Sequence, residues 1–454
     1  MTFAGLTFPF AILFRVLTSL LLLASEPPLP KGPDADAHGW ISTTPRDEIR
    51  PVFSTTNSGG PDQQPTLVVE ADEREGLMGT WTKVLPVQGG KTYRFETWRR
   101  SSGIETTRRT AVVRLRWQDK NGASVRRDEP SFPTYRPGDI PQAEPEYVHD
   151  QPDERGDWTL VAGTYAAPKA ATQVLVELHY RWEPSGRIEW TIPTLIESDP
   201  IQPRIVRMAT VHFCPSAGTT PAEKCQQFAP LIKKAAEQKV DLIVLPETLT
   251  YFATGKDFPE VAEPVPGPST DYFGKLAKQH NMYIVAGLVE RDQHLIYNVA
   301  VLLGPDGSIA GKYRKVTLPR GEIEAGITPG HDYPVFQTRF GRVGMMICYD
   351  GFFPEVAREL SNNGAEIIAW PVWGCNPMLA QARACENHVW LISSTYTDVS
   401  ANWMISAIYD HAGIPIAQAK EFGTIAIHEA DLSKPLYWQS LGDFRAQIPH
   451  HRPE

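Results

Sequence analysis

The chain contains 454 residues, which is too many for one ordinary hydrophobic core, so we expect two domains and a short additional segment. The formal net charge is -9, and the sequence has no basic run that could follow a phosphate backbone, which argues against a nucleic-acid partner. The 40 prolines favour turn-rich β-structure with long surface loops over a helical bundle.

The amino-terminal segment contains a strongly apolar stretch, residues 7–24, which Arg15 interrupts. We predict that residues 1–25 are a secretory signal peptide and that residues 26–38 are a Pro-rich linker. A membrane anchor is the alternative, although a full span would place Arg15 near its middle, which is costly. All five cysteines lie after residue 213 at irregular spacing, which is not the pattern of a disulfide framework. The sequence therefore predicts an exported protein, periplasmic or extracellular, that does not depend on disulfides.

Residues 39–198 show the period-two alternation of apolar and polar residues that is typical of strands. Such runs occur around 93–95, at 113–117 and at 174–182. The run at 113–117 is followed by the turn sequence Asp119–Gly122. The run and the turn together predict a β-hairpin. Several short strands joined by Gly and Pro turns predict a β-sandwich. This region resembles the jelly-roll, carbohydrate-binding-like modules appended to exported enzymes, and that resemblance implies a glycan ligand.

The pattern changes after Pro200 to short apolar runs alternating with helical spacing, which indicates an α/β layer fold. One helix is expected where apolar residues recur at i, i+3, i+4 and i+7, at Phe228, Leu231, Ile232 and Ala235. Buried strands are expected at 241–246, 283–289, 344–348, 365–370 and 390–394. Two antiparallel hairpins, turning at 305–307 and 410–413, predict a mixed sheet.

Three residues in this second half have the chemistry of a catalytic site. Glu247 follows the apolar run at 242–246, at the carboxyl end of a strand, where open α/β folds bind ligands. Lys315 lies on the returning strand of the first hairpin. Cys348 ends an apolar strand, and Pro354 then opens a helix, which presents the thiol on a strand-turn-helix unit. Taken singly, each has an ordinary explanation. Glu247 fits a helix cap or a salt bridge, Lys315 fits a solvated lysine, and Cys348 fits a small core residue.

Taken together, these residues resemble the nitrilase superfamily, whose members carry a Glu, a Lys and a Cys in this order on an αββα sandwich. The resemblance rests on Leu-Pro before Glu247, on Tyr-Arg-Lys at Lys315, and on Ile-Cys-Tyr-Asp at Cys348. Further matching segments are 328–330, 334–336, 353–355 and the Arg-Ala-Cys-Glu-Asn segment within 381–387. We assign residues 204–450 to this domain. The resemblance also implies a homodimer or a larger homo-oligomer.

The chemistry of amide hydrolysis requires these residue types. Cys348 would attack the carbonyl or nitrile carbon, and Glu247 would carry the proton. The Lys315 ammonium and the backbone N–H of Tyr349 would stabilise the oxyanion, so no metal or cofactor is needed. The resemblance further implies a second active-site Glu between the Lys and the Cys. Glu322 and Glu324 both fit this position, and we favour Glu324, with Glu322 as a residue of the substrate pocket.

Two aromatic residues bear on the substrate. Phe352 stands where a common form of the family has an Arg that could pair with a substrate carboxylate, which argues against ω-amidase-like specificity. Neutral or cationic amides and N-carbamoyl amines remain, and nitriles are an alternative. Phe352 and Trp373 are candidates for lining the pocket, although an aromatic residue at a strand end is often part of the core or of a dimer contact.

Two alternative interpretations give the front domain a different role. In one, the second half is a catalytically silent scaffold, and the β-sandwich holds a glycan or a protein partner. In the other, the front domain is a structural cap that supports dimerisation or restricts access to the pocket. Selective alkylation of Cys348 distinguishes a working enzyme from a scaffold, because Cys214, Cys225, Cys375 and Cys385 have neither metal-ligand spacing nor a nucleophile's setting.

Overall fold

The computed structural model describes residues 38–130, 139–374, 376–401 and 405–453. The predicted signal peptide, residues 1–25, and nearly all of the Pro-rich linker lie outside the described residues, as does Cys375. Within the described ranges, no helix combines the length and the apolar character needed to span a membrane.

The first part of the chain consists mainly of antiparallel strands. They are β1 (Ile41–Thr43), β2 (Val52–Thr56), β3 (Thr66–Glu70), β4 (Met78–Pro86), β5 (Thr92–Ser102), β6 (Ala111–Gln118), β7 (Glu146–Arg155), β8 (Trp158–Ala166), β9 (Gln173–Arg181), β10 (Arg187–Thr191) and β11 (Thr194–Ser198), with a short helix α1 (Thr107–Thr110) before β6. They pair in the order β1-β4-β9-β6-β7-β8-β5-β10-β3-β2, and β11 lies beside β5. Side chains from β3, β4, β5, β6, β9 and β10 share one hydrophobic cluster around Trp117 and Trp190. The jelly-roll-like sandwich stays a prediction.

The predicted hairpin after β6 forms, but it is short. The turn itself forms, with the Gly122 N–H donating to the Asp119 carbonyl at 3.1 Å and Gly122 at a φ of +83°. The returning chain pairs with β6 near the turn, through the bridge Gln118–Ser124 and a hydrogen bond from the Val125 N–H to the Trp117 carbonyl at 3.3 Å. Along the rest of its length β6 pairs with β9, and in its middle also with β7. Pro130 and Pro141 follow closely, and prolines cannot donate to a ladder. The two long strands therefore occupy both edges of β6.

The second part of the chain alternates strands with helices. The strands are β12 (Ile205–His212), β13 (Leu242–Val244), β14 (Tyr283–Asp292), β15 (Leu295–Leu303), β16 (Ile309–Arg314), β17 (Val335–Gln337), β18 (Arg342–Met345), β19 (Ile367–Pro371), β20 (Trp390–Ser394), β21 (Ser406–Tyr409), β22 (Pro415–Ala419), β23 (Thr424–Asp431), β24 (Tyr437–Trp438) and β25 (Gly442–Asp443). The helices are α2 (Pro221–Gln226), α3 (Ala229–Glu237), α4 (Phe258–Val261), α5 (Pro268–His280), α6 (Arg320–Glu324), α7 (Pro354–Asn362), α8 (Pro377–Asn387) and α9 (Phe444–His451). The predicted strands and both predicted hairpins are confirmed.

Two mixed sheets pack face to face in this part of the chain. One has the order β16-β15-β14-β13-β12-β23, and the other has the order β17-β18-β19-β20-β21-β22. A shared cluster that includes Val244, Val285, Met345 and Ile392 joins their inner faces. Helices α3 and α5 cover the outer face of the first sheet, and α7 and α8 cover that of the second. This α-β-β-α layering, with mixed sheets, is the nitrilase-type fold that the sequence predicts.

The carboxy-terminal segment contacts both parts of the chain. Arg445 on α9 donates to the Ala365 carbonyl at 2.7 Å, just before β19 of the second sheet. From the other side, Arg108 on α1 donates to the Pro449 carbonyl at 2.9 Å, and His450 Nδ1 lies 2.7 Å from the Arg108 carbonyl. Helix α9 therefore ties the front strands to the α/β layers.

Candidate active site

Glu247 lies in the first sheet, just beyond the carboxyl end of β13, as the sequence predicts. Its buried carboxylate accepts hydrogen bonds on Oε1 from Lys315 Nζ at 2.9 Å and from Asn298 Nδ2 at 2.7 Å. Oε2 accepts the backbone N–H of Trp373 at 2.8 Å. A Cβ at Gly287 on the neighbouring strand would lie 2.5 Å from the Glu247 Cα, so glycine is needed there for this segment to pack closely. Three donors thus hold the carboxylate in one orientation.

Lys315 follows β16 and places a fully buried ammonium beside two carboxylates. Its Nζ donates to Glu247 at 2.9 Å and to Glu322 at 2.7 Å. Burial by itself lowers the pKa of Lys315, but the neighbouring Glu247 carboxylate, followed by Cys348 and Glu322, outweighs burial and raises the pKa above its ordinary value. The lysine is therefore charged at any physiological pH.

The second glutamate beside Lys315 is Glu322, which corrects our preference for Glu324. Both residues lie on α6, and residues two positions apart on a helix point in directions that differ by about 200°. Glu322 faces inward, where Oε1 accepts from Lys315 and, at 3.1 Å, from Asn298 Nδ2, while Glu324 is exposed. Burial raises the pKa of Glu322 to about 7, against the opposing charge of Lys315 and with support from Glu247.

Asn298 on β15 is a site residue that the sequence analysis missed. Its amide nitrogen donates to both Glu247 and Glu322, so it bridges the two carboxylates on the side opposite solvent. A signal was present, since Asn298 is the one polar residue in the apolar run 295–303 that forms the hairpin partner of the Lys315 strand. A buried amide in such a run requires partners.

Cys348 lies at the junction of β18 and α7, at the start of a short 3-10 turn, Cys348–Phe352. Its φ of +38° is in the left-handed region, which costs energy for a residue with a Cβ and is typical of functional turns. The thiol donates to the Gly374 carbonyl at 3.4 Å. Burial raises the pKa of Cys348 to about 12, Glu247 adds to the rise and Lys315 opposes it. At rest the group is a thiol, and a base must remove its proton before it can attack.

Asp350 connects the Cys348 turn to the segment that carries Lys315. It is fully buried, and one carboxylate oxygen accepts from the Tyr313 hydroxyl at 2.8 Å and from the Ile347 N–H at 2.8 Å. The other oxygen accepts from the Thr317 hydroxyl at 2.6 Å. Since Tyr313 and Thr317 flank Lys315, this carboxylate sets the position of the thiol relative to the ammonium.

Two residues, Trp370 and Arg383, support the Cys348 turn. A Cβ at Gly351 would lie 1.9 Å from the Trp370 ring, so only glycine fits over that indole. Trp370 is buried and donates its ring N–H to the Cys348 carbonyl at 3.3 Å, while Arg383 donates to the Gly351 carbonyl at 3.1 Å. Arg383, in the Arg-Ala-Cys-Glu-Asn segment of α8, therefore supports the turn.

The segment after β19 joins Glu247 and Cys348, because Trp373 donates its N–H to the carboxylate and Gly374 accepts from the thiol. The Trp373 indole is exposed, as is Phe352 in the Cys348 turn, so both predicted pocket aromatics lie at the solvent side of the site. The Tyr349 N–H lies in the first turn of the 3-10 segment, where backbone donors have no partner within the helix.

The second half of the chain is similar to known proteins over most of their length. The carbon-nitrogen hydrolase family model matches residues 208–435. Omega-amidase NIT2 of Xenopus tropicalis is 31% identical over 269 residues, covering 54% of this chain and 94% of the relative. A nitrilase of Pyrococcus abyssi is 38% identical over 198 residues, covering 42% of this chain and 74% of the relative.

Among solved structures, Saccharomyces cerevisiae Nit3, a member of branch 10 of the nitrilase superfamily, is 24% identical and covers 55% of this chain and 96% of that chain, with a TM-score of 0.47. The match of the family model extends from β12 to just before β24, through both mixed sheets and the segments that carry Glu247, Lys315 and Cys348. The chain therefore belongs to the carbon-nitrogen hydrolase family and is a carbon–nitrogen hydrolase enzyme.

Proposed function

We propose that the enzyme hydrolyses a non-peptide amide or an N-carbamoyl amine with Cys348 as nucleophile, Glu247 as proton carrier and Lys315 as oxyanion stabiliser. One observation carries this proposal: the two-residue segment Trp373–Gly374 holds the Glu247 carboxylate with its N–H and the Cys348 thiol with its C=O. A base and a weakly acidic thiol held on one short segment, beside a buried ammonium, suit acyl transfer to sulfur.

In the first half of the reaction, the thiol proton moves to Glu247 as sulfur attacks the carbonyl carbon. The carbonyl π electrons move to oxygen, and the resulting oxyanion is stabilised by Lys315 and by the Tyr349 N–H. An ammonium has three N–H donors; among the described residues, Glu247 and Glu322 take two, which leaves one for the substrate oxygen. Each such donor contributes about 3 to 4 kcal/mol to the transition state. Glu247 then protonates the departing nitrogen, the C–N bond breaks, and a thioester remains.

In the second half, water replaces the released amine or ammonia. Glu247, again a carboxylate, takes a proton from that water as its oxygen attacks the thioester. Collapse of the tetrahedral intermediate breaks the C–S bond, and the Glu247 proton returns to sulfur, which regenerates the thiol and releases the acid. Glu322 is a positioning residue that orients Lys315 and, with Asn298, keeps Glu247 directed at the reacting atoms.

Amides and N-carbamoyl amines are favoured over nitriles because a second glutamate, Glu322, accompanies the triad. In the nitrilase superfamily that the sequence resembles, such a residue accompanies action on amides and ureido groups. A nitrile would follow the same first step through a thioimidate and is an alternative substrate. The curated relatives include both an omega-amidase and a nitrilase, so the comparison leaves both classes in the test.

The test is ammonia release from a panel of aliphatic amides, nitriles and N-carbamoyl amines by the wild-type enzyme and by Cys348→Ala. We expect release by the wild type that is abolished in the variant, with amides or N-carbamoyl amines ranked above nitriles. Cys214→Ala is the matched control, because Cys214 is, like Cys348, a half-buried free cysteine, and it lies in the segment after β12. Release that persists in Cys348→Ala would refute the assigned nucleophile.

We also propose that the protein is exported, that it forms a homodimer or a larger homo-oligomer, and that its front domain holds a glycan. Aromatic rings on the front strands support the glycan only in part, because Arg155 stacks over Trp98 and Arg100 over Trp158, each with 4.7 Å from guanidinium carbon to ring centre. A sugar would have to displace these guanidinium groups. Cell fractionation tests export, light scattering tests the oligomeric state, and binding to immobilised polysaccharides tests the glycan ligand.

A further inference from the structure

Several exposed apolar side chains lie on the segments that carry the catalytic residues. Among the described residues, 15 large apolar side chains are exposed, and five of them belong to the segments that carry the site. We call these five the apolar rim: Ile323, Phe352, Phe353, Trp373 and Met378. The first lies on α6, the next two at the Cys348 turn, the fourth after β19, and the last at the start of α8.

The backbone ties the apolar rim to the reacting groups. Ile323 directly follows Glu322, and the N–H of Trp373 itself binds Glu247. Phe352 and Phe353 contact the ring of Tyr349, with centroid distances of 5.4 and 5.2 Å, and Tyr349 supplies the backbone N–H assigned to the oxyanion. Apolar side chains gathered at one place on a protein surface mark an interaction site, so we take these five as candidate contacts for a ligand.

Among the described residues of the site, the charged side chains give a substrate carboxylate little to bind. Lys315 is buried and bound to two glutamates, and Arg383 lies under the Cys348 turn, where it donates to Gly351 and pairs with Glu386 at 2.9 Å. Arg320 at the start of α6 is exposed and is the nearest cation in sequence to the rim. A flexible Met and an aromatic pair adapt well to an apolar group of variable shape.

We propose that the substrate is an uncharged amide or N-carbamoyl amine with an apolar hydrocarbon or aryl group, and that this group packs on the apolar rim. This inference rests on the proposed function, because the rim is assigned to the same site. It narrows the substrate from amides in general to those whose apolar group extends beyond the scissile carbonyl toward solvent.

The first experiment measures kcat/KM for the linear amides from acetamide to hexanamide, for phenylacetamide, and for succinamate, a carboxylate-bearing monoamide. Burial of each added methylene should raise kcat/KM about threefold to fourfold until the rim is filled. Succinamate should fall at least tenfold below the uncharged amide of equal length. Preference for succinamate, abolished in Arg320→Ala, would overturn the proposal.

The second experiment uses a matched pair of variants, Ile323→Ser on the rim and Ile196→Ser on β11. The two isoleucines are 61% and 64% exposed, so the substitutions remove the same side chain from equally solvated positions. We expect Ile323→Ser to lower the ratio of kcat/KM for hexanamide to that for acetamide about tenfold, and Ile196→Ser to leave it unchanged. An equal ratio in all three proteins would refute the role of the rim.

The outcomes distinguish failure of the proposed function from failure of the assignment of the apolar rim. If the wild type releases ammonia from no compound, the proposed function fails, and the rim inference fails with it. If ammonia is released but is independent of chain length, only the rim inference fails. If the wild type is dimeric by light scattering and Ile323→Ser is monomeric, the rim is a contact between copies of this chain, which also overturns the inference.

Discussion

The substitution Glu322→Gln tests which glutamate works with Lys315. Glutamine keeps the size of the side chain but removes the charge that Lys315 Nζ approaches at 2.7 Å. A hydrogen bond to a buried charged group contributes about 1.5 to 3 kcal/mol. If this free energy orients the ammonium in the transition state, kcat/KM should fall about 10- to 150-fold. Steady-state ammonia release measures the loss.

The control is Glu324→Gln, two residues further along the same helix. Glu324 is exposed, so its substitution should change kcat/KM less than about twofold, as is usual for surface positions. Equal losses in the two variants, or a larger loss in Glu324→Gln, would refute the assignment of Glu322. The circular dichroism spectra of the two variants should be the same, which checks that both keep the fold.

The same variant should change the dependence of stability on pH. Burial raises the pKa of Glu322 from 4.5 to about 7, so the folded protein holds this proton more tightly than the unfolded chain. The resulting stability is fully present below about pH 4.5 and is lost as pH rises through about 7. Relative to Glu322→Gln, the wild type should therefore be less stable at pH 8 than at pH 5 in urea unfolding.

Three further predictions concern the support of the site and of the carboxy-terminal segment. Asn298→Ala removes a donor shared by two buried carboxylates and should cost about 2 to 4 kcal/mol of unfolding free energy in urea, together with most of the activity. Gly351→Ala forces a Cβ to within 1.9 Å of Trp370 and should cost about 1 to 3 kcal/mol and lower kcat by displacing the Cys348 turn. Burial lowers the pKa of His450 to about 4 from 6.5, so its contribution to stability is present above about pH 6.5 and is lost as pH falls toward 4. His450→Gln, which cannot be protonated, should lose less stability than the wild type between pH 7 and pH 5.

A control variant for the first of these predictions, and a contradicting outcome for each of the other two, are as follows. Asn363→Ala, on the surface, should leave activity unchanged. Normal stability of Gly351→Ala would show that Trp370 can move, and it would contradict the proposed packing. An identical pH dependence of unfolding in His450→Gln and in the wild type would exclude His450 as the group that responds.

The sequence by itself identified the residues whose setting is local. Glu247 and Cys348 each follow a short apolar strand, and Lys315 directly follows the returning strand of a hairpin, so the local sequence places each of them at a strand end. The helix face made by Leu231, Ile232 and Ala235, all buried in the structure, follows from spacing within one helix. Pro354 begins α7 because its ring suits the first turn of a helix.

Only the tertiary structure decided the features that depend on distant segments. The rotation of α6 about its axis directs Glu322 toward Lys315 and leaves Glu324 exposed. Asn298 acquires its role because β15 lies beside the strand of Lys315. The hairpin after β6 stays short because β9 pairs along one edge of β6 and β7 pairs along part of the other. In each case the outcome depends on a contact between two segments that are far apart in sequence. The residue pattern within either segment does not predict that contact.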